Sequence, residues 1–396
     1  MDKKILHIDV NNAFLSWSAV DRLAKGEKVD LRTIPAIIGG DEQARHGIVV
    51  AKSNIAKKFG IKTAEPIYQA RRKCPSVVII SGDFEVYRNF SNKLYKLFLE
   101  YTEKVERFSI DECFLDMTDY LSPGEDIIKV GIQIKERIKN ELGFTVNVGV
   151  SDDKILAKIA SDFEKPDKLH TLFKSEIQEK LWPLDVSEMF LVGKKSVPKL
   201  NRMGIKTVGD LAKTDKQKLI KEFGKFGYTI WKYSNGESKE EINYLPEKPK
   251  GIGNEETLSY DYVNIEDIEM KLVELAEKVA WRLRKEEMLA TVVNVHLKTK
   301  DFVNISHQKK LGSRTDSTQE IIDASKELLR EFYKGQPIRL IGVRVDGLEE
   351  KEQLQMSMFD ELDNKKDRRI DETMDKLKEK FGYNIVSRAS HLKNKE

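Results

Sequence analysis

The chain has 396 residues, of which 40% are hydrophobic and 34% are charged, and its formal net charge is +3. This length exceeds one ordinary hydrophobic core, so we expect several domains. No apolar run approaches the length of a membrane span, and two cysteines, Cys74 and Cys113, exclude a disulfide framework and a zinc site. We therefore expect a cytoplasmic protein with no membrane partner.

A short apolar strand, Ile5 to Val10, carries Asp9 close to its end, and a helix follows it. Phe14, Trp17 and Val20 recur at helical spacing, which predicts one buried face for that helix. Asp9 is either an ordinary helix cap or a carboxylate at the end of a strand. In open α/β sheets, ligands bind beyond the carboxyl ends of strands.

The next segment is predicted to be a small basic unit. Residues 34–38 and 47–51 favour paired strands, and a short basic helix from Lys52 to Phe59 ends at Gly60. A second helix beginning at Pro66 carries Arg71, Arg72 and Lys73. The three lysines of the first segment, Lys52, Lys57 and Lys58, either hold a triphosphate as point charges or simply solvate a helix face.

Two adjacent carboxylates, Asp111 and Glu112, interrupt an apolar stretch that runs from Phe108 to Asp116. A long amphipathic helix at about 84–103 precedes this stretch. The pattern predicts a hairpin with acids at its tip. The tip is either a solvated acidic turn or, because bare carboxylates repel each other, a site for a divalent cation such as Mg²⁺.

Helical spacing over 126–142 and strand alternation from Phe144 to Val150 complete a strand, helix, hairpin, helix, strand order. This order predicts a split βαβ sheet covered by helices on one face, with Asp9 and Asp111 on neighbouring central strands. A helix from Asp153 then ends at Pro166. Lys165, beside that proline, is a candidate phosphate contact.

Short helices and glycine turns dominate from residue 174 onward, and residues 166–250 hold 17 Lys and Arg against 12 Asp and Glu. Gly193, Lys194, Lys195 and Gly204 fit a helix-hairpin-helix, in which backbone N–H groups approach phosphate oxygens closely. An ordinary helical turn is the alternative. A second glycine turn, Gly224 to Gly227, follows.

A polar stretch at 238–250 predicts a linker, and beyond it strands and helices alternate in a second α+β domain. The basic residues of this domain are compatible with tracking of a nucleic acid backbone: Lys298, Lys300, Arg314 and Arg344. Gln355 to Asp360 is typical of a docking peptide. The charged helix from Ile370 to Phe381 is solvated or interactive.

Several of these motifs together resemble the Y-family, or translesion, DNA polymerases of the DinB/UmuC kind. The likeness runs from residue 1 to about 360. It rests on Asp9-Val10 before an aromatic residue, Ser109-Ile110-Asp111-Glu112, and the segment Ala157 to Pro166. The thumb motif from Val192 to Leu211 and the peptide Gln355 to Phe359 add to it.

The resemblance implies an α+β multidomain fold, a right-hand polymerase with a split βαβ (ferredoxin-like) palm, small fingers, a helix-hairpin-helix thumb and an α+β little finger. The implied bounds are palm 1–33 and 81–170, fingers 34–80, thumb 171–240, linker 241–250, little finger 251–348 and tail 349–396.

The resemblance also implies the residues of the active site. The metal ligands would be Asp9, Val10 through its carbonyl, Asp111 and Glu112, holding two Mg²⁺ ions, or Mn²⁺. The nucleotide would meet Asn12, Ala13, Phe14, Leu15, Ser53, Asn54, Lys57 and Lys165. The sliding clamp would bind Gln355, Met358 and Phe359.

This chain differs from the family pattern at a few positions. The second acid near the metals is Asn11 or Asn12 here, and the aromatic gate against a 2′-hydroxyl falls on Phe14 or Leu15. Asn54 and Lys57 stand where many relatives have tyrosine and arginine. Lysine keeps the charge but loses the bidentate fork of arginine.

The expected function is low-fidelity, template-directed DNA synthesis past damaged bases, by two-metal transfer from a dNTP to the 3′-hydroxyl of a primer. The expected partners are primer-template DNA, dNTP and the β clamp, and the chain is expected to be monomeric. A nucleotide cyclase and a noncatalytic DNA-binding module are the alternatives, but neither uses the full set of motifs.

Overall fold

The computed structural model describes residues 3–40, 47–122, 124–245, 248–351 and 365–386. The described residues up to 245 form one compact unit, and those from 248 onward form a second. Within these ranges, no helix is long and apolar enough to cross a membrane.

The first unit contains eight strands in its described part. They are β1 (Ile5–Val10), β2 (Ala36–Gly39), β3 (Val49–Lys52), β4 (Val78–Ile80), β5 (Val105–Arg107), β6 (Glu112–Asp116), β7 (Val146–Ser151) and β8 (Leu169–Thr171). Its α-helices are α1 (Ala13–Ala24), α2 (Asn54–Lys58), α3 (Ile67–Lys73), α4 (Phe84–Leu99), α5 (Ile127–Arg137), α6 (Lys154–Asp162), α7 (Val197–Arg202), α8 (Val208–Lys213), α9 (Lys216–Phe223) and α10 (Lys225–Ser234).

A five-stranded sheet of order β5-β6-β1-β7-β8 forms the centre of the first unit. Strand β1 is antiparallel to both β6 and β7, and β8 runs parallel to β7. Leu6, Ile8 and Val10 on β1 pack into a core with aromatic and aliphatic residues of α1, α4 and α5. The predicted split βαβ sheet is confirmed.

The opposite face of this sheet is covered by α6, so helices lie on both faces and not on one as predicted. Asp153 caps α6, because its carboxylate accepts N–H bonds from Ile155 (2.8 Å) and Leu156 (3.2 Å). Gly149 on β7 permits the close approach, since a Cβ there would lie 1.9 Å from the Ala157 carbonyl oxygen. The helix is thereby pressed directly onto the strands that carry Asp9 and Glu112.

Two smaller groups complete the first unit. Strands β2, β3 and β4 form a three-stranded sheet that carries α2 and α3, with Ile37, Val49 and Ile67 in its core. Helices α7 to α10 pack around a separate core that includes Leu200 and Leu219. Glycine turns lie between α7 and α8, at Gly204, and between α9 and α10, at Gly224; both have positive φ.

The start of the predicted linker is packed onto the first unit. The Ser238 hydroxyl donates to Asp153 (2.7 Å), and the Asn243 N–H donates to Glu106 (2.6 Å). Ile242 packs against Ile5, Phe114 and Ala157. This part of the chain is therefore anchored, which the polar composition of 241–250 did not predict.

The second unit is an antiparallel sheet of four long strands and a short fifth strand, with two helices on one face. Its elements are β9 (Gly251–Tyr262), α11 (Ile265–Lys285), β10 (Met288–Thr299), β11 (Asn304–Thr315), α12 (Thr318–Phe332), β12 (Ile338–Asp346), β13 (Glu349–Glu350) and α13 (Lys365–Phe381). The order is β11-β10-β12-β9, and Val293, Val295, Ile341 and Val343 face α11 and α12. Arg284 of α11 holds α13 through ion pairs with Asp375 (2.6 Å) and Asp371 (3.2 Å).

Candidate active site

Three carboxylates meet where strand β1 of the central sheet ends and the neighbouring strand β6 begins. The antiparallel register sets Asp9 on β1 directly opposite Glu112 on β6. The Val10 N–H donates to the Asp111 carbonyl oxygen at 3.1 Å, which ties the hairpin tip to the end of β1. The register therefore brings together Asp9, Val10, Asp111 and Glu112, although about a hundred positions separate the two segments.

Each of these carboxylates has a partner within the protein. The Lys165 ammonium pairs with Asp9 and also with Asp162 (2.7 Å), and Lys158 pairs with Glu112 at 2.6 Å. Asp111 accepts a hydrogen bond of 2.7 Å from the Ser109 hydroxyl. The lysine side chains therefore offset much of the charge repulsion that adjacent acids create.

Burial affects Asp9 most strongly, since the residue is only 7% exposed. Desolvation raises the pKa of Asp9 to about 6, the Lys165 charge lowers it, and the charges of Glu112 and Asp111 add to the rise. The same pair raises the pKa of Lys165, because the Asp9 and Asp162 carboxylates outweigh its desolvation. Burial therefore disfavours the ionised form of the Asp9 carboxyl, whereas the neighbouring carboxylates stabilise the charged form of the Lys165 ammonium.

Among the described residues, no three His, Cys, Asp or Glu side chains converge into a preformed metal cage. The donor chemistry nevertheless fits Mg²⁺, which prefers hard carboxylate and carbonyl oxygens and few protein ligands. The two lysines occupy the carboxylate oxygens that such an ion would use. The residues present thus fit a divalent cation on condition that the ammonium groups move aside.

The predicted nucleotide contacts divide into exposed and buried residues. Asn12, which has a left-handed backbone (φ 49°), donates its amide N–H to Asn54 at 3.2 Å, and Lys57 is exposed one turn further along α2. Ser53 is fully buried and caps α2 through the Ala56 N–H at 3.0 Å. Its hydroxyl also donates to the Ile34 carbonyl oxygen, so in this conformation the Ser53 side chain is hydrogen-bonded within the protein.

The two candidates for the sugar gate occupy different environments. Phe14 is partly exposed and stacks on Tyr87, with ring centroids 4.6 Å apart. Leu15 is 1% exposed and belongs to a core cluster with Ala19, Leu31 and Ile38. Ala13 is also buried, within the core of the sheet. Of Phe14 and Leu15, only Phe14 has a surface that a sugar could contact in this conformation.

Sequence reasoning did not assign Lys158 and Asn147 to the site. Lys158 lies four positions after Lys154 on α6, a helical spacing that places both lysines on one face of the helix. Lys52, one of the lysines predicted as a possible triphosphate contact, lies on β3, where burial and the neighbouring Lys57 charge lower its pKa. The hydrogen bonds of Asn11 were not predictable, because its partners lie more than 130 positions away.

The predicted DNA contacts lie in both units. Gly193, Lys194 and Lys195 are exposed before α7, and Gly204 turns between α7 and α8 with φ 81°. In the second unit, β10 and β12 direct Asn294, Lys298 and Arg344 to the sheet face opposite the helices. Arg344 pairs with Asp346 (2.8 Å) and Arg314 with Glu349 (2.8 Å), while Lys300 is exposed just after β10. The predicted clamp peptide, Gln355 to Phe359, lies outside the described residues.

Comparison with known proteins assigns the family. The impB/mucB/samB family model matches residues 8–162, and the model of its C-terminal domain matches 249–358. Models of a polymerase-iota thumb domain and of the family's helix-hairpin-helix motif match 191–237 and 174–205.

The chain is 45% identical to DNA polymerase IV of Clostridium acetobutylicum over 100% of both chains. It is 36% identical to DNA polymerase IV of Acetivibrio thermocellus, over 100% of this chain and 99% of that one. Among solved structures, a chimeric Y-family DNA polymerase matches with a TM-score of 0.75 at 25% identity, covering 88% of this chain and 99% of the other. DinB from Sulfolobus solfataricus matches with a TM-score of 0.58 at 27% identity, covering 87% and 98%.

A sheet that presents carboxylates beside lysines, followed along the chain by a helix-hairpin-helix motif, is the framework of a nucleotidyl-transferring polymerase. The chain belongs to the impB/mucB/samB family, the Y-family of translesion DNA polymerases. It is a DNA-directed DNA polymerase that synthesises past damaged bases at low fidelity. The predicted right-hand fold is confirmed, with a palm built on the central sheet.

Proposed function

We propose that Asp9, the Val10 carbonyl, Asp111 and Glu112 are the metal ligands of this polymerase, and that two Mg²⁺ ions are its cofactor, with Mn²⁺ as a substitute. The observation that carries the proposal is the register that sets Asp9 against Glu112, with Asp111 bonded to Val10. When bound, the ions would lower the pKa of the primer hydroxyl and stabilise charge on the reacting phosphate.

The protein's own groups position the reactants. Asp9 and Glu112 are fixed on strands β1 and β6. The Ser109 hydroxyl orients Asp111, just before β6, through its 2.7 Å hydrogen bond. Lys165 and Lys57 neutralise the triphosphate, which requires Lys165 to exchange its Asp9 partner for phosphate oxygens. Asn12 and Asn54, whose side-chain amides are joined by a hydrogen bond, would line the same phosphate path.

Phe14 is the proposed gate against ribonucleotides. Its ring rests on Tyr87, whose hydroxyl bonds Ser18 at 3.0 Å, so the ring has a firm support. In this proposal Leu15 packs in the core, and Ser53 caps α2. Ala13 is 6% exposed, so a nucleotide would contact only a small part of this residue.

Primer-template DNA would bind along two basic surfaces. The thumb turn at Gly193 presents backbone N–H groups and Lys194 and Lys195, and Gly204 shapes the same hairpin. In the second unit, Lys298, Lys300, Arg314 and Arg344 would follow the phosphate backbone. We assign residues 1–33 and 81–170 to the palm, 34–80 to the fingers, 171–240 to the thumb and 251–348 to the little finger.

The remaining proposals concern partners and location. Gln355, Met358 and Phe359 would dock the β clamp, on the strength of their residue types in a polar stretch. A monomer in the cytoplasm fits the two cysteines, Cys74 and Cys113, which are both free and buried.

Primer extension on an abasic template tests the metal ligands. We expect Asp111→Ala and Glu112→Ala to reduce primer extension in the presence of Mg²⁺ by about 10²–10³-fold, the size of loss expected for a principal electrostatic group. Asp119→Ala is the matched control, because this exposed acid lies beyond the same hairpin and pairs with Lys104 (2.6 Å). Near-normal extension by both site variants, with primer binding intact, would refute the assignment.

A further inference from the structure

A network of buried amides lies beneath the turn that carries Lys165. Asn147 is the second residue of β7 and is fully buried. Its Nδ2 donates to the carbonyl oxygens of Ser161 (3.0 Å) and Glu164 (2.6 Å). Its Oδ1 accepts from Asn11 Nδ2 (3.0 Å) and from the Lys168 N–H (3.3 Å). An asparagine amide offers two donors and two acceptor positions, so every one of them is engaged.

Asn11 extends the network from the neighbouring strand. It is 7% exposed, and its Oδ1 accepts from the Asp167 N–H (2.9 Å) and from the Thr145 hydroxyl (3.0 Å). The resemblance to the family places an acid near the metals at Asn11 or Asn12. Here the Asn11 side chain bonds Asn147 and the Asp167 backbone, so its amide serves the turn.

The contacts fall on both sides of Lys165. Ser161 and Glu164 are held before it through their carbonyl oxygens, and Asp167 and Lys168 are held after it through their N–H groups. The Asp167 carboxylate is also paired with Lys135 (2.6 Å) and Lys139 (2.9 Å) of the preceding helical segment. The backbone from which the Lys165 ammonium extends is therefore fixed to β7, β1 and α5 at once.

We propose that Asn147 and Asn11 are positioning residues for Lys165: their amide pair sets the point from which the ammonium reaches the triphosphate of the incoming nucleotide. A lysine side chain has four rotatable bonds, so only a fixed backbone restricts where its charge can stand. Displacement of a positioning backbone by about 1 Å costs up to about 10²-fold in rate. The inference rests on the proposed contact between Lys165 and the nucleotide.

A double-mutant cycle on the full chain separates the two claims. Single-nucleotide incorporation at saturating primer-template gives KM for dNTP and kcat for the wild type, Asn147→Ala, Lys165→Ala and the double variant. We expect each single variant to raise KM about tenfold, with a smaller change in kcat. In the Lys165→Ala background, Asn147→Ala should add nothing, because the residue acts through Lys165.

Asn11 supplies a second, milder test. Asn11→Ala removes both the acceptor oxygen for the Asp167 N–H and the Nδ2 donor to Asn147. We therefore expect Asn11→Ala to raise KM for dNTP in the wild-type background and to add nothing in the Lys165→Ala background. This comparison also serves if Asn147→Ala fails to fold, which thermal unfolding of each variant would reveal.

Asn235→Ala is the matched control for the loss of an amide. Asn235 also donates to backbone carbonyls, those of Ala212 (3.2 Å) and Trp231 (2.9 Å), but it lies among the thumb helices. Its KM for dNTP should stay at the wild-type value. Additive effects of Asn147→Ala and Lys165→Ala would overturn the positioning role, and so would an unchanged KM in Asn147→Ala. An unchanged KM in Lys165→Ala alone would overturn the proposed phosphate contact itself.

Discussion

Asp9 combines two properties that oppose each other, a buried position and the need for a negative charge. Its raised pKa of about 6 comes first from desolvation and then from the neighbouring Glu112 and Asp111 charges, which the Lys165 ion pair only partly offsets. Ionisation of this buried carboxyl lowers the stability of the folded state, and a bound cation would offset that loss. Function at this residue therefore opposes folding stability, as is common at active sites.

This opposition predicts a pH dependence of stability in the presence of EDTA. Because the folded pKa is above the unfolded value of 3.8, Asp9 favours the folded state at low pH. That contribution is lost as pH rises from about 4 through 6. Chemical unfolding should show the wild type losing roughly 1–3 kcal/mol relative to Asp9→Asn between pH 4 and 7. Parallel stability curves for the two proteins would contradict the raised pKa.

The sugar gate gives a second prediction at this scale. Phe14→Ala should increase ribonucleotide incorporation relative to dNTP on the order of 10–100-fold, because the ring no longer excludes the 2′-hydroxyl. Leu15→Ala should leave that ratio unchanged and lower the free energy of unfolding by about 2–5 kcal/mol, because Leu15 is buried in a core. Ratios of kcat/KM for rNTP and dNTP provide the measurement. A gate effect in Leu15→Ala alone would reverse the assignment.

At the scale of elements, the little-finger sheet has two chemically different faces. Val293, Val295 and Leu297 of β10 face the helices, so Asn294, His296 and Lys298 between them face the other way. Arg344 lies opposite Asn294 on β12 and shares that open face. Lys309 on β11 lies opposite Val293 and pairs with Glu327 of α12, which places it on the helix side.

The two faces of this sheet predict which basic residues bind DNA. Lys298→Ala and Arg344→Ala should each weaken primer-template binding and reduce the slope of log K against log salt by about 1. Lys309→Ala removes the same charge from the same sheet but from the covered face, so its salt slope should match the wild type. Fluorescence anisotropy over a salt series measures both quantities. Equal slopes for all three variants would show that charge position on this sheet does not matter.

Prediction of elements from sequence succeeded where apolar periodicity was strong and failed where it was weak. Alternation and helical spacing identified β1, α4 and the β5–β6 hairpin, and these place the carboxylates. Strand β11 has few apolar side chains because most of its residues are exposed, so no hydrophobic pattern marks it. Segment 241–250 reads as polar, yet a single apolar residue, Ile242, and two backbone hydrogen bonds anchor its start.

The candidate site shows the same division. Residue type alone identifies acids as candidate metal ligands and lysines as candidate phosphate contacts, so Asp9, Asp111, Glu112 and Lys165 could be proposed from sequence. Ser53 was proposed as a nucleotide contact, and the structure places it fully buried. Asn11 and Asn147 are hydrogen-bonded to each other and to the turn that carries Lys165, which residue type does not indicate. Those outcomes depend on register and burial, which a single sequence does not contain.

At the scale of the whole molecule, the proposed docking of Gln355, Met358 and Phe359 to a sliding clamp would keep the polymerase on its template. Helix α13, held by Arg284, lies beyond the predicted clamp peptide, so the peptide is followed by a folded element of the second unit. Substituting Gln355, Met358 and Phe359 together by alanine should abolish stimulation by the β clamp. Distributive synthesis without the clamp should be unchanged, since none of these residues belongs to the active site.

Primer extension with and without clamp, on the same template, checks this expectation. The matched control replaces Gln353, Ser357 and Asp360 by alanine, which alters the same stretch and spares the three proposed anchors. Full stimulation of the anchor variant would reject the docking role. Equal loss in both variants would show that the stretch acts without specific anchors.

The pairing of Lys165 with Asp9 and of Lys158 with Glu112 would couple the two proposed binding events. The proposed role of Lys165 at the triphosphate is incompatible with its ion pair to Asp9, so a nucleotide alone would have to compete with that carboxylate. A divalent cation bound by the carboxylates would free the ammonium for phosphate. We therefore expect cation and nucleotide to bind cooperatively, and thermodynamic linkage requires each to raise the affinity of the other by the same factor.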